Sequence, residues 1–294
     1  MNTTHLRKWL ICLLLLVGFL GCTDHRIPAV TPGSGSNRLR VKTITQDQPG
    51  NTAKVSAFKY DSQGRLSLIV GFQTPDSTMG PVENSVYTYD AQNRLTQLRR
   101  EVVRRSGSSP NPVEVYTFSY NMASQVAQLL HSPSTFGVGL QYASDNRLSG
   151  YAKGINVAGL QSSGGGTFTF TGNNLTFATE TLSVIRSGGP SIPVYSRSTN
   201  TTYTFDDKTN PFYGPFIIPT PGVFGPMPVS GSFGPYYSYY GGIDNLLNLS
   251  QNNVLSAGNS TYAYTYNGAS LPTSRITTTS GTVTETLHYD YETY

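Results

Sequence analysis

The chain has 294 residues and a formal net charge of +4; 37% of its residues are apolar, 12% aromatic and only 12% charged. So small a charge argues against nucleic acid as a partner, and the length suffices for one β domain that stabilises itself through its own core. The only cysteines, Cys12 and Cys22, lie near the start, so the remainder of the chain has neither thiol nor disulfide.

Residues 1–21 read as a signal segment. Arg7 and Lys8 give it a positive start and residues 9–20 an apolar run, the length of a signal-peptide core and too short to span a bilayer. The segment ends Phe19-Leu20-Gly21-Cys22, which resembles the lipobox of bacterial lipoproteins, with Phe19 where Leu is usual. The resemblance implies cleavage before Cys22, acylation of its thiol, and a mature chain that begins there. Several acyl chains, at ~0.8 kcal/mol per buried methylene, anchor a protein durably. Thr23 rather than Asp follows the cysteine, which under the enteric sorting rule implies the outer membrane. An ordinary secreted protein is the alternative. Residues 22–37 then form the lipidated cysteine and a tether containing Pro28, Pro32 and Gly33-Ser34-Gly35-Ser36. A flexible stretch of that length averages about 20 Å end to end.

From residue 38 onward one phrase recurs. It reads Phe58-Lys59-Tyr60-Asp61-Ser62-Gln63-Gly64-Arg65-Leu66 and again Tyr87-Thr88-Tyr89-Asp90-Ala91-Gln92-Asn93-Arg94-Leu95, with weaker copies at residues 118–126, 141–148, 168–175, 203–211 and 264–272. Aromatics on alternate residues, as in Tyr116, Phe118 and Tyr120, share one face of a strand. Asp61 or Asp90 then opens a turn by accepting the N–H two residues on. Gly64, Asn93, Asn146, Asn174 and Asn210 fall where a type I turn plus bulge needs positive φ, and Ser124 and Ser270 stand there in other copies. After the turn Leu66, Leu68 and Val70 resume the alternation, whereas Leu95 and Leu98 break it and point to a bulge or a shifted register. The phrase describes a β-hairpin used in series. The expected fold is all-β, an antiparallel meander of fifteen or sixteen strands curled into a barrel or a strongly bent open sheet, in one domain over residues 38–294. The face opposite the aromatics carries Thr, Ser, Lys and Gln, so the barrel should meet water outside; a porin needs a lipid-facing apolar band.

The Tyr-Asp-x-x-Gly-Arg-Leu core resembles the YD repeats of Rhs-type proteins, although the spacing is uneven and no toxin segment follows. The chain is also similar to Bacteroides-type outer-membrane lipoproteins of unknown function with a porin-like domain. The residues that carry this are the lipobox, the YD-like hairpins, Phe205-Asp206-Asp207-Lys208-Thr209-Asn210-Pro211-Phe212-Tyr213-Gly214, Asn252-Asn253-Val254 and Tyr264-Thr265-Tyr266-Asn267 with Pro272. This resemblance implies fold and location and brings no known activity.

Little in the chain suggests chemistry. His25, His131 and His288 have no second ligand at metal spacing, so neither metal nor cofactor is expected. Asp61, Asp90, Asp145 and Asp206 belong to turns; Glu83, Glu101, Glu114 and Glu180 are scattered, and nothing pairs them for acid–base work. The cluster Arg99-Arg100-Glu101-Val102-Val103-Arg104-Arg105 is either a solvated strand and turn or a contact for lipopolysaccharide phosphate or an acidic glycan.

The insertion at residues 211–242 is the one stretch the repeat leaves unexplained. It is rich in Pro and Gly and carries Phe212, Tyr213, Phe216, Phe224, Phe233, Tyr236, Tyr237, Tyr239 and Tyr240; residues 243–249 suggest a short helix. Those rings either plug one end of the domain or offer flat faces to a sugar or apolar ligand. The function expected is that of a non-catalytic outer-membrane lipoprotein, tied to the membrane by its anchor and binding a glycan, envelope component or partner protein at one end. A purely structural or accessory surface protein is the alternative. A glycan-acting enzyme comes third and would need two carboxylates about 5–10 Å apart in a pocket.

Overall fold

The structure is a computed structural model that describes residues 39–75, 82–103, 113–132, 137–157, 159–186, 188–189, 193–213 and 246–294. The signal segment, Cys22, the tether and residues 214–245 lie outside the described residues. Strand β1 spans Leu39–Gln48, β2 Thr52–Tyr60, β3 Leu66–Thr74, β4 Val82–Tyr89, β5 Leu95–Val103, β6 Val113–Tyr120, β7 Val126–Ser132 and β8 Gly137–Tyr142. Then come β9 Leu148–Val157, β10 Leu160–Thr171, β11 Asn174–Arg186, β12 Tyr195–Thr209, β13 Asn252–Ala257, β14 Ser260–Tyr266, β15 Pro272–Thr279 and β16 Thr282–Thr293. Each strand pairs antiparallel with its neighbours in sequence, and β16 pairs with β1, so the meander closes into a barrel and leaves no open edge.

The repeated turns all lie at one end of this barrel, the turn end. Asp61 shows why its residue type recurs: its Oδ1 accepts the N–H groups of Gln63 and Arg65, both at 2.9 Å, and its Oδ2 accepts from Arg65 Nε at 2.7 Å. Asp90 repeats the set with Gln92 and Arg94, and Asn121 and Asn267 accept the same backbone bonds through their amide oxygens. Gly64, Asn93, Ser124, Asn146 and Ser270 all have positive φ, from 59° to 78°. Two expected members do not. The fifth hairpin is one residue shorter and turns on Gly172 (φ 57°), which leaves Asn174 in β11. Asn210 does not have positive φ either: β12 runs past Asp206 to Thr209, and Asn210 instead opens a turn of its own, its carbonyl accepting from Tyr213 N–H and its Oδ1 from Phe212 N–H, while its buried amide donates to the carbonyls of Leu247 and Ser250. Serine is strained where φ is positive, so Ser270→Gly should leave stability unchanged or raise it slightly. Ser270→Val should lower it by about 1 kcal/mol or more. Urea unfolding decides: a harmless Val together with a harmful Gly would refute the turn geometry.

A bulge follows each turn. Tyr60 pairs with Leu66 but Lys59 with Leu68, so Ser67 is unpaired and its hydroxyl caps Lys59 O at 3.1 Å. The extra residue inverts the parity of the rest of the strand. Leu66 and Ile69 point inward, at 2% and 0% exposure, whereas Leu68 lies opposite Lys59 on the outer face, and Val70 shares that face; the simple alternation expected for Leu66, Leu68 and Val70 fails for this reason. The same shift places both Leu95 and Leu98 in the core.

Neighbouring hairpins are fastened by the same repeat. Tyr89 donates to Leu66 O, Tyr120 to Leu95 O and Tyr142 to Val126 O, at 2.6–2.9 Å, so each tyrosine reaches back to the hairpin before it. The arginine of that preceding hairpin lies over the ring: Arg65 over Tyr89 at 4.5 Å and Arg94 over Tyr120 at 4.6 Å, a favourable cation–π placement. The seam between the chain ends copies this set. Arg40 lies over Tyr60 at 4.1 Å and pairs with Glu292 at 2.7 Å, while Tyr60 donates to Val41 O and Tyr291 to Pro272 O. Even the bulge is present, between Val41 and Thr43. Tyr291-Glu292 and Arg40-Val41 are therefore two halves of one more repeat.

Inside, the aromatics and leucines form one core cluster that includes Phe58, Tyr87, Tyr116, Phe118, Tyr151, Phe168, Tyr203 and Tyr289. Outside, Thr88, Thr117, Thr167, Thr169, Thr202, Thr204, Thr261 and Thr265 are exposed. Large exposed apolar residues such as Val86, Leu130, Leu255 and Ile276 stand among them. The described outer face thus lacks the apolar band that a lipid-spanning barrel requires on nearly every strand.

Candidate functional site

Among the described residues, polar side chains gather in the barrel interior toward the far end and around a pocket at the turn end.

The interior layer comes from the inward parity of successive strands. Glu83 on β4 and Glu114 on β6 flank Arg100 on β5. Arg100 Nε and Nη2 donate to Glu83 Oε1 at 3.2 and 3.1 Å, and Nη1 donates to Glu114 Oε2 at 3.2 Å. His131 Nε2 lies 3.7 Å from the other oxygen of Glu114. Across the barrel Arg275 Nη2 donates to Glu285 Oε2 at 2.6 Å, and Gln46 Nε2 donates to Glu285 Oε1. Carboxylates that read as scattered are thus brought together: Glu83 and Glu114 share one guanidinium. Arg100 accordingly departs from the surface reading of its basic cluster, because strand parity turns it inward while Arg99 pairs with Glu101 on the outer side. Arg104 and Arg105 lie outside the described residues.

Glycines complete this layer. Tyr151 on β9, Gly166 on β10 and Glu180 on β11 are in register. Tyr151 lies across Gly166 to donate to Glu180 Oε1 at 2.7 Å, and a Cβ on Gly166 would sit 2.5 Å from the Tyr151 ring. Gly164 makes room in the same way for Lys153. Burial pushes the Lys153 amine down to about 8, with Glu180 opposing the shift.

The turn-end pocket has a volume of about 210 Å³. Leu148 and Leu249 line its buried floor, Phe170 and Tyr213 are aromatic walls, and Asp145, Asn146, Arg147 and Asn173 form a polar rim. Local geometry fixes the rim. Asp145 Oδ1 accepts Arg147 N–H at 3.1 Å, Arg147 Nη1 donates to Gly172 O at 2.6 Å with its guanidinium 5.4 Å from the Phe170 centroid, and Asn173 Nδ2 donates to Gln251 Oε1 at 2.8 Å. Apolar floor, flat walls and directional polar groups give the pocket surfaces for stacking and for hydrogen bonding side by side.

Of the aromatics singled out in the insertion, two lie in described residues, and they part company. Phe212 packs against the core, 6.2 Å from the ring of Tyr289 across the barrel. Beneath it remains a cavity of about 20 Å³, room for one water. Tyr213 lines the pocket. Phe216, Phe224, Phe233, Tyr236, Tyr237, Tyr239 and Tyr240 lie outside the described residues. The helix suggested at residues 243–249 is described as one 3-10 turn, Leu246–Leu249, all of it buried. It is fixed where Asn210 bonds Leu247 and Ser250, and where Leu175 N–H donates to Ser250 Oγ. The described ends of the insertion thus cap the turn end from inside. Residues 145–147, 170 and 173 were not anticipated as pocket residues, because each already had a role in a turn or strand.

No protein-family model matches the sequence, and no curated protein matches it. Among solved structures the chain is similar to a porin-like protein from Bacteroides uniformis, at 13% identity over 86% of this chain and 98% of that one, with a TM-score of 0.48. A porin-like protein from Bacteroides vulgatus aligns at 11% identity over the same shares, with a TM-score of 0.37.

Proposed function

We propose that this protein is a non-catalytic lipoprotein of the outer membrane, held by acyl chains on Cys22, whose barrel binds a saccharide unit in the turn-end pocket. The pocket carries the reading: aromatic walls, an apolar floor and a polar rim meet at a mouth between two hairpin turns and the insertion. The water-facing outer surface supports anchoring by lipid in place of spanning. Against catalysis stands the use already made of the acids, since Glu83 and Glu114 are engaged by Arg100 and Asp145 by its own turn. The structural alternative draws on Phe212, Leu246, Leu247 and Leu249, which fill the turn end as a plug.

A glycan array followed by titration separates the two readings. Tyr213→Ala with Asn173→Ala should weaken a saccharide hit at least tenfold, about 1.4 kcal/mol, with the melting temperature nearly unchanged. If the melting temperature falls by several degrees while binding persists, the segment is a plug and the structural reading stands.

A further inference from the structure

We infer that the turn-end pocket selects a saccharide that carries a carboxylate, as a uronic acid does, and that Arg147 is the residue that recognises the charge. The inference rests on the saccharide pocket proposed above and adds to it a ligand class and a specificity-determining side chain.

The repeat itself sets Arg147 apart. In the first two hairpins the residue four positions before the arginine is the turn-opening aspartate, and that acid clamps the guanidinium. Asp61 Oδ2 accepts from Arg65 Nε and Nη2, both at 2.7 Å, and Asp90 Oδ2 accepts from Arg94 Nε at 2.8 Å. At the seam Glu292 does the same for Arg40, at 2.7 Å. In the third hairpin both members change together, and Asn121 Nδ2 donates to Gln125 Oε1 at 2.9 Å. The fourth hairpin keeps the arginine and loses the acid, because Ala143 stands in the aspartate's place. The backbone part of the lost role passes to Asp145, whose Oδ1 accepts the Arg147 N–H. The clamp is not replaced. Asp145 Oδ2 is 3.8 Å from Arg147 Nε and its side chain is 60% exposed, a separation beyond hydrogen bonding and an exposure at which an ion pair contributes little.

Arg147 is nevertheless held in position. Its Nη1 donates to Gly172 O at 2.6 Å, much as Arg65 Nη1 donates to Asn93 Oδ1 in the hairpin after its own. Its guanidinium lies 5.4 Å from the centroid of Phe170, an aromatic wall of the pocket. Nη2 has no hydrogen-bond partner among the described residues, and the side chain is 38% exposed, against 20% for Arg65 and 28% for Arg94. A fixed cation released from its acid therefore stands on the pocket rim. The planar fork of a guanidinium matches a carboxylate, and a hydrogen bond to an ionised acceptor is about twice as strong as one to a hydroxyl. With a sugar ring stacked on Phe170, a carboxylate at the ring's edge falls beside this fork. Asp145, the one acid among the lining residues, repels a densely charged polyanion and leaves a single carboxylate on the bound sugar as the better fit.

The test alters charge without touching the pocket walls. Ala143→Asp restores the clamp seen at Asp61 and Asp90 and neutralises Arg147 within its own turn. Glucuronate-, galacturonate- and sialate-terminated oligosaccharides, each beside its methyl ester, would be titrated calorimetrically into the native protein and the variant. At least one acid should bind the native protein ten times more tightly than its ester. In Ala143→Asp that gap should close, with affinity for the ester unchanged and the melting temperature not lowered. Arg147→Gln, which removes the charge outright, should close the gap as well and serves if Ala143→Asp fails to fold. Equal affinity of acid and ester for the native protein overturns the inference and leaves the saccharide site standing. A preference for the acid that survives both variants overturns the role of Arg147. Failure of every acid and every ester to bind overturns the saccharide site and this inference with it.

Discussion

Alkali should unfold this barrel abruptly just above pH 10, with the phenolate absorbance of the buried rings rising together with the loss of β structure, after the smaller contribution of exposed rings such as Tyr195 and Tyr294. Burial pushes the hydroxyls of Tyr60, Tyr89, Tyr151, Tyr203, Tyr264 and Tyr291 far above the ordinary tyrosine value of 10, and at Tyr151 the Glu180 carboxylate adds to the shift. Below about pH 10 folded and unfolded chains both hold these protons, and the burial carries no pH-dependent penalty. Above it the unfolded chain releases them while the folded barrel retains them, so stability falls by about 1.4 kcal/mol per pH unit for each tyrosine concerned. Even three acting together would remove ~4 kcal/mol per unit, against a total of ~5–15 kcal/mol for an ordinary domain. The measurement is a pH titration followed at once by phenolate absorbance and circular dichroism. A gradual rise of the whole phenolate signal to completion while the β signal stays constant would show that the buried rings are open to water.

Replacing Arg100 by Met should be the most damaging single change in the described interior. Glu83 and Glu114 are 0% and 1% exposed, and Arg100 donates to both. Removal leaves two like charges in the same dry space, where breaking one buried pair already costs about 3–5 kcal/mol. Methionine keeps much of the volume, so the loss reads as charge and not as a cavity. Adding Glu83→Gln and Glu114→Gln to the variant should restore most of the urea midpoint, because amides need no counter-ion. An Arg100→Met protein within about 1 kcal/mol of the native chain would mean that the guanidinium does not hold this layer together.

How far each feature could be read from the sequence depends on how local it is. Asp61 and Gly64 are explained by bonds that span at most four residues, and the aromatics by simple alternation, so the hairpins, the turn chemistry and the inward aromatics were visible in the bare phrase. Closure was not, because Tyr291-Glu292 and Arg40-Val41 each carry half a repeat and stand at opposite ends of the chain. The bulge at Ser67 depends on the partner strand, and it undid the simple alternation assigned to Leu68 and Val70. The ionic layer was closer to legible than it looked. Glu83 shares strand parity with Tyr87, and Glu114 with Tyr116 and Phe118, so carrying the alternation four residues back from Tyr87 and two back from Tyr116 would have turned both acids inward. The pocket had no such signal. Its walls come from Phe170 and Tyr213, its floor from Leu148 and Leu249, and only the folded barrel brings them together.

The split repeat at the seam gives the barrel a simple arithmetic of growth. Each hairpin carries its own turn, its own bulge and the tyrosine that grips the one before it, so a unit such as β6 with β7 can be lost or duplicated whole. The ring would then close on the same Arg40–Glu292 pair. Both chain ends would stay on the same rim, because strands enter and leave in twos. An odd change would send Leu39 and Thr293 to opposite rims and deny the seam its antiparallel partner. Circumference is thus free to vary over generations of such barrels, while the rim on which Leu39 and Thr293 meet is not.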